Sequence, residues 1–568
     1  MEERVASLAT PRPRCVLGSS LCLFWLACGG ADAPPVRTIA TDEPSPNTIA
    51  TGTAEVVPGT VATARAIPSG PPALTIGEDV TVLVKGWNEP TKRPPPSVFR
   101  AIPTHPIGAV ASRGRHGGEA PARVERFEGG FRAHLPSRAP VVTPTVYRDL
   151  VIASGGFRSR ALYAFHARTG EPAWAIGLGD DGPSTPACED GVCVFNTESC
   201  TLFAVDAENG ALKWSWYIGD PLMAAPAIAN GVVYASYPIR GGGTWPSGED
   251  RALPEGVSHA LGAFDLQTGA LRWTRWVDAE VISAPVVYEG RVYAATFGGM
   301  MIAFDAASGD VIEARRAQAT AAPTIVDGAL YFSRREDEGD ESFERIVRSA
   351  LDGDAAAQSE RRSTQGKPND PPAAQTVRRR ARYLRADFQD STVYATESQA
   401  HDAANGFSGG APAAANASVA RGLIGRGTVQ GLQEFQGSWV LGFGDANLVT
   451  MGDALVAYDR ASGRERWVVA LPGDLARSGG ALGAPPAAAG EHVVVPTLSG
   501  EVLIVTRGGE VARRLQAGAP LRTQAVVHEG WIYVGTSDGQ LVGLDTGDAS
   551  LTGWSTWAGG SARTGHGS

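Results

Sequence analysis

Long apolar runs are almost missing from this sequence of 568 residues. The longest is the thirteen-residue stretch Cys15–Ala27, CVLGSSLCLFWLA. It is shorter than the roughly 20 apolar residues that a membrane-spanning helix needs, and no later segment is longer and equally apolar. The sequence therefore predicts no transmembrane helix. Three arginines, Arg4, Arg12 and Arg14, precede the stretch, and this combination is typical of a secretory signal.

An excess of basic charge is also missing. The chain has 60 acidic residues against 50 lysines and arginines, which gives a formal net charge of −10. A nucleic-acid binder needs a basic face to neutralise phosphates, so we expect no nucleic-acid partner. Charged residues make up only 19% of the chain, with 70 glycines and 39 prolines. This composition indicates a globular protein with frequent turns rather than an elongated helical one.

The end of the apolar stretch carries a second targeting signal. The sequence Trp25-Leu26-Ala27-Cys28-Gly29-Gly30 resembles a bacterial lipobox, which implies a signal peptide over residues 1–27 and lipidation of Cys28. The other interpretation is ordinary signal-peptide cleavage, with Cys28 left free or removed. Either way, we expect export to the cell envelope. Gly29 favours the outer membrane, with the folded part in the periplasm or at the cell surface. Residues 28–120 are rich in Pro, Thr and Ala and are predicted to be a low-complexity tether.

Cysteine is scarce outside this region. Of six cysteines, only Cys188, Cys193 and Cys200 lie beyond Cys28. Asp190-Gly191 is a strong hairpin turn, which places Cys188 opposite Cys193 at a closely spaced cross-strand position. We predict a structural disulfide between them, while a Cys188–Cys200 bridge is also compatible with the spacing. No CxxC or HExxH motif is present, so no metal site is expected.

One pattern recurs from about residue 140 onward: a strand ending in Ala-x-Asp, a turn with Gly, and a strand with Trp. Clear copies are LYAFHARTGEPAW, LFAVDAENGALKW, LGAFDLQTGALRW, MIAFDAASGDVIE and LVAYDRASGRERW. In the first four copies the equivalent positions are His166, Asp206, Asp265 and Asp305, which are 40, 59 and 40 residues apart. A repeat of about 40 residues built from short strands is the signature of a propeller blade.

Each residue of the pattern has a mechanical role. Glycine permits a left-handed backbone where the chain reverses, and the aspartate accepts backbone N–H bonds in the same turn. The indoles are predicted to pack against the neighbouring blade rather than on a cofactor. The four residues in this blade-docking position are Trp174, Trp214, Trp273 and Trp467.

Counting the repeats predicts an all-β, eight-bladed propeller of four-stranded blades over residues 121–568. The predicted blades are 141–179, 181–219, 221–277, 279–317, 319–353, 430–471, 481–517 and 521–559. Two segments could supply the strand that closes the last blade: Arg132–Leu135, or the sequence LTGWSTWAGG near the end of the chain. Closure removes exposed sheet edges, which would otherwise favour aggregation.

The motif Ala-x-Asp-x-x-Thr-Gly-x-x-x-Trp, clearest at Ala263–Trp273, resembles the tryptophan docking motif of the PQQ-like propeller superfamily. That superfamily includes quinoprotein alcohol dehydrogenases and the non-catalytic outer-membrane assembly lipoprotein BamB, which this chain most resembles in character. The resemblance implies either a scaffold or an enzyme. The family's enzymes use a pair of adjacent cysteines, and this sequence has no such pair and no CxxCH motif. We therefore expect no enzymatic activity and no cofactor. The acidic run 334–341 is interpreted as a solvated loop of blade five.

Two insertions into the repeats, 239–259 and 354–427, are the candidate binding loops, because blade loops gather on the faces of a propeller. The first presents Trp245 and the second carries Arg378, Arg379, Arg380 and Arg382. These residues are a candidate partner surface for an acidic protein or for lipid headgroups; the alternative is a solvated charged segment. The sequence thus predicts an exported, lipid-anchored, monomeric scaffold that binds envelope proteins, with a periplasmic PQQ-dependent quinoprotein dehydrogenase as the alternative.

Overall fold

The computed structural model describes residues 73–76, 80–83, 100–101, 122–363 and 438–567. Within the longer ranges it has gaps at 156–158, 179–181, 198–200, 218–223, 239–258, 279, 297–298, 318, 339–340, 352–354, 360–361 and 476–481. All described residues belong to one compact unit, Pro68–Ser568. Among them, no helix is both long and apolar enough to cross a membrane.

Five short strands precede the first blade. β1 (Ala73–Ile76) pairs antiparallel with β2 (Val80–Leu83), and β3 (Arg100–Ala101) pairs with the outer strand of blade 1. β4 (Arg123–Phe127) and β5 (Gly130–His134) form an antiparallel hairpin. Three of these strands therefore lie in the stretch interpreted as a tether.

The next sixteen strands form four antiparallel four-stranded blades, numbered in chain order. Blade 1 consists of β6 (Thr145–Tyr147), β7 (Leu150–Ser154), β8 (Ala161–His166) and β9 (Pro172–Gly177). Blade 2 consists of β10 (Ala187–Glu189), β11 (Val192–Asn196), β12 (Thr201–Asp206) and β13 (Leu212–Tyr217). Blade 3 consists of β14 (Ala227–Ala229), β15 (Val232–Pro238), β16 (His259–Asp265) and β17 (Leu271–Val277). Blade 4 consists of β18 (Val286–Tyr288), β19 (Arg291–Ala295), β20 (Met300–Asp305) and β21 (Val311–Arg316).

Four further sheets complete the ring. Blade 5 consists of β22 (Thr324–Val326), β23 (Ala329–Glu338), β24 (Glu341–Ala350), β25 (Ala355–Ala357) and β26 (Arg362–Ser363). Blade 6 consists of β27 (Val440–Phe443), β28 (Ala446–Met451), β29 (Ala454–Asp459) and β30 (Glu465–Ala470). Blade 7 consists of β31 (Ala487–Ala489), β32 (His492–Pro496), β33 (Glu501–Thr506) and β34 (Val511–Gln516). Blade 8 begins with β35 (Val526–His528), β36 (Trp531–Gly535) and β37 (Gln540–Asp545), and the short strand β38 (His566–Gly567) lies beside β27.

The prediction of eight four-stranded blades is confirmed. Of the two candidate closing segments, the one that precedes blade 1 is used: β5 pairs antiparallel with β37 and becomes the fourth strand of blade 8, with β4 outside it. The ring is therefore closed by a hairpin far from blade 8 in sequence. The other candidate, LTGWSTWAGG, runs across the innermost strands instead.

Blade 5 departs from the predicted pattern. The run 334–341, interpreted as a solvated loop, is mostly strand, because β23 and β24 pair continuously from Ala329↔Ala350 to Glu338↔Glu341. The fourth-strand position is filled by β25 and β26, so the blade extends ten residues beyond its predicted end at residue 353. The interpretation as a loop was wrong because most of these charged residues lie within the paired strands β23 and β24.

Candidate functional site

The four docking tryptophans each cover a glycine in the next blade. A Cβ placed on Gly269 would lie 2.7 Å from Cδ2 of Trp214, and one on Gly309 would lie 2.5 Å from Cδ2 of Trp273. Gly210 and Gly509 meet Trp174 and Trp467 in the same way. Only glycine leaves room for an indole at this distance, and each of these glycines also has a positive φ.

The indole N–H of each docking tryptophan donates to a backbone carbonyl just beyond the third strand of the next blade. The bonds run from Trp174 to Ala207 at 3.1 Å, Trp214 to Leu266 at 2.8 Å, Trp273 to Ala306 at 3.0 Å and Trp467 to Arg507 at 3.0 Å. Trp174, Trp214 and Trp273 are buried and Trp467 is half-buried. Each indole contributes apolar area and also satisfies a carbonyl that the sheet leaves unpaired.

The aspartate of the repeat organises the turn on which the indole rests. Asp265 accepts the backbone N–H groups of Gln267 and Thr268 at 3.2 and 2.9 Å, and its other oxygen accepts a hydrogen bond from Arg272 at 2.7 Å. The Arg272 bond, reinforced by the Thr268 bonds, lowers the pKa of Asp265 to about 2. The carboxylate is therefore ionised at neutral pH and holds the turn in position.

The remaining four junctions use other donors for the same purpose. Tyr533 donates to Ala167 O at 2.9 Å between blades 8 and 1, and Arg513 donates to Thr546 O at 2.6 Å between blades 7 and 8. Gln358 donates to Arg460 O between blades 5 and 6. Between blades 4 and 5, Arg315 donates to Ala350 O at 3.2 Å, one residue earlier than at the other junctions. The tryptophan pattern could not reveal these residues, because three different side-chain types replace the indole.

The junction that closes the ring has two aromatic residues in place of one. Phe131 of β5 lies where a docking indole would, since a Cβ on Gly170 of blade 1 would be 2.4 Å from its ring. Tyr533 supplies the hydrogen bond to Ala167. Packing and hydrogen bonding, which one tryptophan provides elsewhere, are thus divided between strands that come from opposite ends of the propeller sequence.

Cys188 and Cys193 are joined by a disulfide across the first hairpin of blade 2, with their Cα atoms 4.1 Å apart. They face each other in the register of β10 and β11. The turn between them has positive φ at both Asp190 and Gly191, as a two-residue type I′ hairpin requires. Cys200 lies outside the described residues.

The centre of the ring is occupied by the chain itself. Residues 551–567, here called the axial segment, follow blade 8 and circle the innermost strands. Its backbone carbonyls accept amides from seven blades: Gly490 to Thr552, Val527 to Trp554, Val146 to Ser555, Ile228 to Ser561, Val287 to Ala562, Ile325 to Thr564 and Gly442 to Gly565, at 2.7 to 3.1 Å. The Thr556 hydroxyl donates to Pro186 O of blade 2 at 3.2 Å.

Arg563 is the central charged group of the axial segment and is fully buried. Its guanidinium donates to Pro226 O and Thr185 O, and also to Trp557 O within the segment. The same group lies 5.4 Å from the ring centroid of Trp557, within the range of a cation–π interaction. One side chain therefore connects the segment to the residues just before the innermost strands of blades 2 and 3.

Three buried indoles cluster beside this arginine. Trp554 and Trp557 of the axial segment each lie 6.1 Å, centroid to centroid, from Trp439 at the start of blade 6. All three are at most 1% exposed. Such contacts contribute about 1 kcal/mol each beyond the area buried. The axis is consequently a packed core in the described part of the chain.

Several predicted site residues lie outside the described residues. These are Cys28, Trp245, Arg378, Arg379, Arg380 and Arg382. The structure places the ends of the first insertion at Pro238 and His259, which face each other at the ends of neighbouring strands of blade 3. Among the residues that the structure describes, no group of three or more His, Cys, Asp or Glu side chains is arranged to hold a metal ion.

Comparison with known proteins agrees with this geometry. A family model described as "Outer membrane protein assembly factor BamB" matches residues 236–357 and 450–564, which lie in blades 3 to 5 and in blade 6 through the axial segment. No curated protein sequence matches the chain.

Solved structures also align with the chain. BamB from Moraxella catarrhalis has 16% identity and a TM-score of 0.44, covering 75% of this chain and 98% of that one. The computationally designed Ika8 protein has 11% identity and a TM-score of 0.44, with 72% and 96% coverage. Saccharomyces cerevisiae Sqt1 has 9% identity and a TM-score of 0.44, with 73% and 98% coverage. With its repeat motif and docking tryptophans, the chain is an eight-bladed β-propeller, and two parts of it, residues 236–357 and 450–564, match the BamB family model.

Proposed function

We propose that this protein is an exported, lipid-anchored and non-catalytic scaffold that binds other proteins of the bacterial cell envelope. One structural observation carries the non-catalytic part: the axial segment fills the centre of the ring, where a small molecule would otherwise be enclosed by all the blades. Contacts with partners are then made on the two faces and at the rim. The match to the BamB family model supports the scaffold role.

The envelope location is proposed from the sequence before the propeller. Cys15–Ala27 acts as the apolar part of the signal, and Cys28 carries the lipid that anchors the chain in the outer membrane. Acyl chains then hold the propeller at the membrane surface as a monomer. A Cys28→Ser variant tests this step. We expect the wild-type chain to incorporate labelled fatty acid and to sediment with membranes, and the variant to do neither.

The contact surface is proposed to include Trp245 and the arginines of the second insertion. An indole and a run of positive charge are together suited to an acidic protein partner. Replacing Arg378, Arg379, Arg380 and Arg382 with Ser should weaken capture of partners in a pull-down. Replacing the exposed Arg126 and Arg148 of the described propeller is the matched control, and it should leave capture unchanged. Equal capture by both variants would remove the arginines from the surface.

The scaffold function as a whole is tested by purification from the native envelope. Co-purifying chains are identified by mass spectrometry, and the absorption spectrum of the purified protein is recorded. We expect reproducible envelope proteins and a spectrum that shows protein alone. A stoichiometric bound quinone would overturn the scaffold in favour of a quinoprotein dehydrogenase.

A further inference from the structure

The axial segment contacts the blades in the order in which they follow one another around the ring. Proceeding from Thr552 to Gly565, it contacts blades 7, 8, 1, 2, 3, 4, 5 and 6 in turn. It therefore makes one full circuit of the ring, with at least one polar contact to every blade. The segment therefore binds the inner surface of the ring in the way that an extended peptide ligand binds a groove.

The donors on the ring side are equivalent from blade to blade. In blades 1, 3, 4, 5 and 8 the amide comes from the middle residue of the innermost three-residue strand: Val146, Ile228, Val287, Ile325 and Val527. This amide points away from the strand's own sheet partner, because an edge strand pairs on one side only. The repeat therefore presents a circular array of backbone donors, which is a binding site for an extended backbone.

Side chains of the segment make the site selective. Two indoles three residues apart pack against Trp439, and Arg563 enters between blades 2 and 3 to reach Thr185 O and Pro226 O. Two residues after the arginine only glycine fits, because a Cβ on Gly565 would lie 2.5 Å from Oγ1 of Thr324 and 2.6 Å from Cζ2 of Trp439.

The connection between the segment and blade 8 is exposed. Residues 547–550 are accessible, in contrast to Leu551, which is 2% exposed. The link can therefore be cut without disturbing the buried contacts on either side.

We propose that the central channel is a peptide-binding site whose ligand is the axial segment. Its ligand class is a peptide with the arrangement Trp-x-x-Trp, a small-residue turn, and Arg-Thr-Gly. The segment binds in cis and is replaceable in trans by a peptide of the same chemistry. This inference concerns the channel alone and does not depend on the scaffold role of the outer faces.

Cleavage of the folded full-length chain tests the proposal. A recognition site for a sequence-specific protease is inserted between Ala549 and Ser550, and the purified, folded protein is cut there. The cut ring is then incubated with a dye-labelled synthetic peptide of residues 550–568, or with the same peptide carrying Arg563→Ala. The uncut chain is the control for non-specific uptake, and circular dichroism reports whether the ring stays folded.

We expect the cut ring to retain the segment on gel filtration and then to exchange it for the labelled wild-type peptide. The Arg563→Ala peptide should bind about ten-fold more weakly or worse, because it leaves two strand carbonyls without their charged donor. Four results would overturn the proposal: unfolding on cleavage, loss of the segment with no peptide uptake by a folded ring, a retained segment that never exchanges, or equal binding of the two peptides.

Discussion

Trp214 of blade 2 lies directly on Gly269 of blade 3, and its indole N–H donates to Leu266 O beside that glycine at 2.8 Å. Replacing Gly269 with Ala tests this contact. The new methyl group would lie 2.7 Å from the indole at a backbone with φ of +70°. We expect a loss of about 2 to 4 kcal/mol in the free energy of unfolding, from backbone strain and displacement of the indole.

Gly290→Ala is the matched control for this variant. Gly290 has φ of +75° but no atom within 4 Å of the added methyl group. It should therefore cost only the backbone strain, about 1 kcal/mol. Denaturant unfolding of both variants measures the difference, and equal costs would show that the indole does not constrain Gly269.

The closing strand gives a second prediction. Phe131→Ala removes a side chain that is 1% exposed and contacts Gly170 of blade 1. We expect a loss of about 3 to 5 kcal/mol in the free energy of unfolding.

Arg126→Ala, in the same hairpin, removes only an exposed ion pair with Glu171 at 2.8 Å and should cost less than about 1 kcal/mol. Thermal unfolding distinguishes the two variants. A Phe131→Ala variant as stable as Arg126→Ala would mean that β5 does not close the ring.

Acid sensitivity is predicted from His259, which stands at the end of the first insertion. It is 4% exposed, and burial lowers its pKa from the ordinary 6.5 to about 3. The unfolded chain therefore takes up a proton as the pH falls below 6.5, while the folded chain does not. The free energy of unfolding is therefore not reduced by this group above pH 6.5. Below that value it falls by up to about 1.4 kcal/mol per pH unit toward pH 3.

Melting temperatures at a series of pH values measure this effect. A His259→Gln variant should be less stable at neutral pH and should show a shallower decline on acidification. His166→Gln, which removes an exposed imidazole, is the control for the substitution itself. If the melting temperature of His259→Gln falls with pH as steeply as that of the wild type, His259 is not the source of the acid sensitivity.

The disulfide of blade 2 should make a small contribution to stability, because it closes a loop of only a few residues. From loop entropy we expect a loss of about 2 kcal/mol on replacing Cys188 and Cys193 with Ser, plus a packing cost at Cys193, which is fully buried. Reductant should lower the melting temperature of the wild-type chain and leave that of the double variant unchanged. If reductant lowers the melting temperature of the wild type and of the double variant equally, the reductant-sensitive group is not the Cys188–Cys193 disulfide.

The blades were predictable from the sequence because each one carries its own local signals. The turn glycine, the aspartate and the tryptophan lie within a dozen residues of one another, so a period of about 40 exposes them. The docking roles of Tyr533, Gln358 and Arg513 were not predictable, since each replaces an indole by a donor of different size, and only Arg513 stands at the tryptophan's position on the fourth strand. Only the three-dimensional ring brings these side chains to equivalent carbonyls.

The axial segment was beyond sequence analysis for a related reason. Its residues contact strands up to several hundred positions away, as in the bonds of Arg563 with Thr185 and Pro226. Its two tryptophans and glycines suggested another blade strand, which was one of the two candidates for ring closure. The segment itself shows no periodic pattern, because the number and spacing of its contacts differ from blade to blade.

Hydrogen–deuterium exchange of the innermost strands is the most direct test of the closed ring with its occupied centre. The amides of Val146, Ile228, Val287, Ile325 and Val527 are bonded to the axial segment and should be strongly protected from exchange in the native protein. The exposed turn amide of Gly328, between β22 and β23, should exchange rapidly in the same experiment. If the five strand amides exchange as fast as Gly328, the segment does not occupy the centre of the ring.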